Sequence, residues 1–256
     1  MRIVRRPTPT GPAWGVVDGD VVLATTGRPF VDLEPTVPVG RLDELALLAP
    51  VTPSTVMCVG RNYAAHAAEL GNAVPAAPLL FLKPPAAIIG PDAPIVRPHD
   101  AGRVDHEAEL VVVIGRTAWR VDAADAMDVV GGYTCGNDVT ARELQRSDPG
   151  GQWTRAKGFD TFAPMGPWIE TELDPSALRI TCAVDDDPRQ DARTDQLLVD
   201  IPTLIAHISA FTRLEPGDVI MTGTPAGVGP LQAGQRVTVT IEGIGSLTNP
   251  VVADRS

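Results

Sequence analysis

The sequence predicts an α+β fold built on mixed β-sheets, with a small β-rich N-terminal domain ahead of a larger main domain. Three observations carry this. Runs rich in β-branched residues recur at 56–59, 110–114, 129–133, 178–184, 218–222 and 237–241, which reads as a strand-rich main domain with irregular spacing. Helical signals are confined to 62–70, 140–146 and 201–211, too few to alternate with the strands as a doubly wound parallel sheet requires. No segment repeats, and none is of low complexity.

Taken in order, residues 14–17 and 21–24 flank the turn Asp18-Gly19-Asp20 and form a hairpin pattern. Pro29, Pro35, Pro38, Pro50 and Pro53 then punctuate the chain up to Ser54, so the N-terminal domain is expected over residues 1–53 and the main domain over 54–256. The segment 62–70 is closed by Gly71, as helices commonly are. Thr140 and Glu143 have the spacing of a capping box for the helix that runs to about Arg146. A third helix begins around Pro202 and runs to Phe211.

Composition bounds the function. A chain of 256 residues can bury a substantial core without disulfides or structural metal. Cys58, Cys135 and Cys182 are odd in number and widely spaced, which fits a reducing, cytoplasmic setting and excludes a thiolate zinc pattern. Arg2, Arg5 and Arg6 are followed by Pro7 to Thr10, where a signal peptide needs its apolar region. The most strongly apolar stretch, 110–114, is far short of the roughly 20 residues that span a bilayer. A net charge of -11 and a pI near 4.7 repel nucleic acid and anionic lipid, so a small-molecule partner is expected instead. Among 21 basic residues only Lys83 and Lys157 are lysine. They stand either where a compact ammonium is required or by chance.

Four constellations can carry chemistry. Glu107 and Glu109 lead into the 110–114 strand, and the period of two puts both carboxylates on one face. Such a pair is either a solvated strand start or the beginning of a cation site, because like charges that close repel unless neutralised. Asp138, in Gly136-Asn137-Asp138, is expected at a strand-to-helix corner, either as a turn aspartate or as a third acid. Three converging carboxylates would suit Mg²⁺ or Mn²⁺ better than zinc. His66 and Glu69 share a helix face at i and i+3, as a surface pair or as a base with its orienting carboxylate. The stretch Gly223-Thr224-Pro225-Ala226-Gly227-Val228-Gly229 lacks the Lys-Ser/Thr of a P-loop; it is a plain turn or a backbone nest for a carboxylate.

Six ordered segments together resemble the fumarylacetoacetate hydrolase family over about residues 56–251. They are Gly60-Arg61-Asn62-Tyr63 with His66 and Glu69, Phe81-Leu82-Lys83-Pro84, the Glu107/Glu109 pair, Gly136 to Arg142, Lys157 to Phe162, and Gly223-Thr224-Pro225. The resemblance implies a β-roll-like catalytic domain, a homodimer and a small oxo-acid substrate. It implies that Glu107, Glu109 and Asp138 hold Mg²⁺ or Mn²⁺, that His66 and Glu69 form a base dyad on a mobile lid helix, and that Lys157 faces the substrate. Arg61, Arg142, Gln145 and Thr224 would help to hold that substrate. The activity it implies is cleavage of a C–C bond in an acylpyruvate-like 2-oxo acid through an enolate, with decarboxylation or isomerisation of oxaloacetate-like or unsaturated diacids as the alternative on the same site. A non-catalytic metal-binding protein on this fold is the third alternative. Three departures from the family pattern stand out: Asp148-Pro149-Gly150-Gly151 lengthens a polar loop, Pro85 follows Lys-Pro, and Asp185-Asp186-Asp187 replaces a hairpin Asn-Gly.

Overall fold

The computed structural model describes residues 1–146 and 151–254; of the lengthened polar loop, Asp148, Pro149 and Gly150 lie outside the described residues. The first strands are β1 (Arg2–Arg6), β2 (Ala13–Asp18), β3 (Val21–Thr26) and β4 (Glu34–Arg41). β2 and β3 form the expected hairpin, with Asp18 opposite Val21. β4 contains Pro35 and Pro38, where the sequence suggested only connecting loop. It is the edge strand of its sheet, the one place where a strand tolerates residues without an N–H.

The main domain continues with β5 (Val56–Gly60), α1 (Ala64–Glu69), β6 (Leu79–Lys83), β7 (Ile88–Ile89), β8 (Ile95–Arg97), β9 (Val104–His106) and β10 (Ala108–Ile114). Next come β11 (Val130–Asn137), β12 (Thr140–Ala141), α2 (Arg142–Arg146), α3 (Trp153–Lys157) and β13 (Ala163–Glu170). The chain closes with β14 (Arg179–Val184), β15 (Asp187–Arg193), α4 (Ile201–Ser209), β16 (Val219–Met221), β17 (Gly229–Pro230), β18 (Arg236–Ile241) and β19 (Gly245–Ala253).

A large mixed sheet runs β4-β3-β2-β1-β13-β11-β10-β16-β5-β6, with β7 alongside β13. The N-terminal strands join it through β1, where Arg2 pairs Glu170 and Ile3 pairs Ile169. One of its inner strands, β10, is buried along its whole length. Alternation then divides β10 between two cores: Leu110, Val112 and Ile114 pack toward α4 and a five-stranded sheet, β15-β14-β18-β19-β8, while Val111 and Val113 face Ile3, Met165 and Met221. In α4, Asp200 caps by accepting from Thr203 N–H, and Ile201, Leu204, Ile205 and Ile208 supply the buried stripe. The Asp185-Asp186 turn has both residues at positive φ, the geometry of a two-residue hairpin turn that aspartate tolerates.

A third, small sheet, β12-β9-β17, matters most for the site. It sets Thr140 opposite Asp105 and Gly229 opposite His106, and so gathers three distant pieces of chain. Two local expectations are corrected here. Thr140 and Ala141 belong to β12, and the helix starts only at Arg142; the Thr140 hydroxyl donates to the Asp138 carbonyl (2.8 Å) and accepts from Lys157 (2.7 Å) instead of capping. Asp138 therefore sits between two strands, and a buried ammonium has outcompeted a helix terminus for the hydroxyl. The helix expected over 62–70 is shorter because Asn62 is tied elsewhere, its side chain bonding Val199 and the Thr222 carbonyl.

Asp218 anchors the connection into the main domain. One oxygen accepts from Ser54 N–H, Ser54 hydroxyl and Thr55 N–H, and the other from Glu215 N–H, all at 2.8 Å. Asp218→Ala orphans three backbone donors at a buried position, so it is expected to cost about 3 kcal/mol, read as a lower midpoint in urea or thermal unfolding. A variant as stable as the parent would show that water replaces these bonds without cost.

Candidate metal centre and active site

The two strands β9 and β10 are interrupted at Glu107, whose N–H is taken by the Asn137 side chain (2.9 Å) and whose carbonyl accepts from Asp138 N–H (2.8 Å). This crossing of β9–β10 with the end of β11 brings Glu107, Glu109 and Asp138 together. One carboxylate oxygen from each lies within 4.8 Å of the others. All three side chains are buried, so the solvated strand start is not what the structure shows.

Cations surround two of the three acids. Lys157 Nζ donates to Asp138 Oδ2 (2.5 Å), Glu107 Oε2 (2.9 Å) and Thr140 Oγ1 (2.7 Å). Lys83 Nζ reaches the other Asp138 oxygen at 2.6 Å and the Val139 carbonyl at 3.1 Å. Arg142 Nη2 donates to Glu107 Oε1 (2.5 Å), its Nε to Asp105 (2.9 Å) and its Nη1 to Gln145 (2.6 Å). The chain's only two lysines thus grip opposite oxygens of one aspartate.

Glu109 has no such partner: among the described residues its only hydrogen bond comes from Gly223 N–H at 2.8 Å. Burial, reinforced by Asp138 and Glu107, pushes its carboxyl well above the ordinary range. Burial also works against charge on Glu107, but Lys157 and Arg142 overcome it and hold that carboxyl well below the ordinary range. Burial would lower the Lys157 ammonium, yet Asp138 and Glu107 raise it. The donor set is therefore three hard oxygens, two already neutralised and the third uncompensated, which fits a small divalent cation such as Mg²⁺ or Mn²⁺. Glycine is needed at 223 for this approach, since φ is +105° and a Cβ would lie 2.8 Å from that of Asn62.

His66 is buried on α1, and its Nδ1 lies 3.3 Å from Glu69 Oε2. The other Glu69 oxygen accepts from Gly227 N–H at 3.0 Å, which ties α1 to the glycine-rich loop. Of the ten residues singled out in the sequence, nine line one cavity that opens to solvent: Arg61, His66, Glu107, Glu109, Asp138, Arg142, Gln145, Lys157 and Thr224. Glu69 stands behind His66. Arg142 is in the wall with its donors turned to Asp105, Glu107 and Gln145, so it braces the acids. Arg61 lies over the Trp153 ring, 5.8 Å from its centre. Gly60 is the last residue of β5, and Trp153 would sit 2.5 Å from a Cβ there.

Several contributors escape sequence reasoning. Lys83 carried a signal, its rarity, without a partner to assign it to. Asp105, Asn137 and Gln190 carried none, because each acts through contacts made only once β9, β11 and β15 are folded.

The sequence matches two families: residues 55–252 match "Fumarylacetoacetate (FAA) hydrolase C-terminal" and residues 1–50 match "Rv2993c-like, N-terminal". A mitochondrial oxaloacetate tautomerase, FAHD1 of Arabidopsis thaliana, is 46% identical over 193 residues, covering 74% of this chain and 86% of its own. The crystal structure of a 5-carboxymethyl-2-hydroxymuconate delta-isomerase from Mycobacterium smegmatis is 48% identical with a TM-score of 0.91, covering 99% of this chain and all of its own. A maleylpyruvate hydrolase from Sphingobium, solved with manganese(II) and pyruvate, is 34% identical with a TM-score of 0.82 over the full length of both chains.

Proposed function

From the premise that this chain belongs to the fumarylacetoacetate hydrolase family, a family of enzymes, we propose that it catalyses proton transfer at the carbon beside the carbonyl of a small 2-oxo diacid of the oxaloacetate type. The observation that carries this reading is a division of labour across one cavity. Lys157 is held by three acceptors and is positioned to stabilise charge, whereas His66 has one ring nitrogen against Glu69 and the other without a protein hydrogen bond among the described residues. The first arrangement suits a developing enolate oxygen, and the second suits a group that takes and returns a proton.

Glu107, Glu109 and Asp138 would hold Mg²⁺ or Mn²⁺, and the ion would polarise the substrate carbonyl and offset enolate charge. The rest falls to side chains. Arg61 and Thr224 orient the carboxylates. His66 removes the proton from carbon, Glu69 stabilises the imidazolium that results, and Lys157 favours the enolate over the ground state, which is what lowers the barrier. Return of the proton to oxygen or to a different carbon completes a tautomerisation or isomerisation. The names of the relatives at 46% and 48% identity support this order of readings.

C–C hydrolysis of an acylpyruvate, the expectation from the sequence, is the second reading. The His66–Glu69 pair favours it, because a histidine with an orienting carboxylate can also activate water. Assaying the Mn²⁺-loaded protein separates the two. Decay of enol-oxaloacetate is expected to exceed the buffer rate by orders of magnitude, with acylpyruvate cleavage slower. Cleavage without any acceleration of enol decay overturns the first reading in favour of the second.

A further inference from the structure

β15 is an exposed strand with one fully buried residue, Gln190. Every hydrogen-bonding position of its amide is taken. Oε1 accepts from Ala108 N–H (3.0 Å) and lies 3.2 Å from His106 Nδ1; Nε2 donates to the Pro225 carbonyl (2.8 Å) and to Thr224 Oγ1 (2.7 Å). The amide's orientation is unambiguous, because a backbone N–H can only donate and the proline carbonyl can only accept. Thr224 Oγ1 must therefore accept from Gln190.

That has a consequence for the hydroxyl proton. With one lone pair of its oxygen engaged by Gln190, Thr224 keeps its proton to donate, and no acceptor for that donation stands among the described residues. Thr224 lines the cavity with Glu109 and Asp138, and the adjacent Gly223 N–H holds Glu109. We propose that Gln190 is a positioning residue for substrate: by engaging one lone pair of the Thr224 oxygen from behind, it holds that hydroxyl in place with its proton left to donate to an anionic oxygen of the substrate, a carboxylate or an enolate. The inference rests on the reading of the cavity as a 2-oxo acid site.

Pyruvate is the probe, titrated calorimetrically into the Mn²⁺-loaded protein. Thr224→Val and Gln190→Met are each expected to weaken pyruvate about tenfold, the usual range for one hydrogen bond to a charged group, with Mn²⁺ affinity unchanged. Thr224→Ser should bind as the parent does. The double variant should bind no more weakly than Thr224→Val alone, because Gln190 acts through that hydroxyl. If Gln190→Met weakens pyruvate as much in the Thr224→Val background as in the parent, its effect is general and the proposal is overturned. Equal binding by the Thr224→Val and Thr224→Ser variants overturns it even should Gln190→Met fail to fold. A parent protein that does not bind pyruvate overturns the 2-oxo acid reading, and the proposal with it.

Discussion

Stripping divalent ions from the protein is expected to abolish turnover, and Mg²⁺ or Mn²⁺ to restore it. Glu107 and Asp138 are matched by Arg142, Lys157 and Lys83, but among the described residues Glu109 has only a backbone N–H. A buried carboxylate in that position is costly to ionise, and a divalent ion offsets the cost. Because the Glu109 carboxyl is pushed up, below its raised pKa the ion must displace a proton. Affinity should then rise with pH by up to about tenfold per unit and level off above that pKa. The stability of the metal-free protein follows the opposite sign. Above the ordinary carboxylate range the folded state holds a proton that the unfolded chain has lost, so the folded state weakens as pH rises toward the Glu109 pKa. Glu109→Gln removes that penalty. It is expected to leave the metal-free protein at least as stable as the parent at neutral pH, while weakening Mn²⁺ by about 100-fold or more. Titrating Mn²⁺ into both proteins in buffers of different ionisation enthalpy counts the released proton. Full turnover in thoroughly metal-stripped protein, or parent-like Mn²⁺ binding by Glu109→Gln, would sink the idea.

What could be read in advance follows from the range of the interactions involved. Periodicity reports on neighbours along the chain, so the β10 core strand, the common direction of Glu107 and Glu109, and the shared face of His66 and Glu69 were legible. The branched runs located β5, β14, β16 and β18 for the same reason. Illegible were the features decided across space. β13 reads APMGPWIE, which offers no alternation, yet it lies between β1 and β11 and is buried at all but one position. Thr140 carries a capping signal and is claimed instead by Lys157, because a buried ammonium loses more without acceptors than a short helix loses without a cap. α3 is little more than one turn, and Trp153 packing against Phe81 and over Gly60 holds it. Such pieces depend on tertiary contact from the start.

His66→Ala is expected to lower kcat by about 10²- to 10⁴-fold for enolisation, the range for a lost general base, and to leave Mn²⁺ affinity intact because His66 is not among the clustered acids. Glu69→Gln should lose less, since an amide oxygen can still accept from Nδ1 across the same 3.3 Å, though without stabilising the imidazolium as a charge does. The two changes should be non-additive, so that adding Glu69→Gln to His66→Ala costs little more. Geometry gives the pair a second duty, because Glu69 also takes the Gly227 N–H and so couples the base to the loop that carries Thr224. Glu69→Ala should accordingly raise KM as well as lower kcat, whereas His66→Ala should act on kcat alone. Substrate choice sharpens the test. Hydrolysis of an acylpyruvate needs a base for water and should fall with enolisation, but loss of CO₂ from oxaloacetate needs no proton abstracted and should survive. Measuring all three reactions on His66→Ala therefore assigns the base to its step: a variant that enolises oxaloacetate and cleaves an acylpyruvate at the parent's rate leaves His66 and Glu69 as an ordinary helix pair.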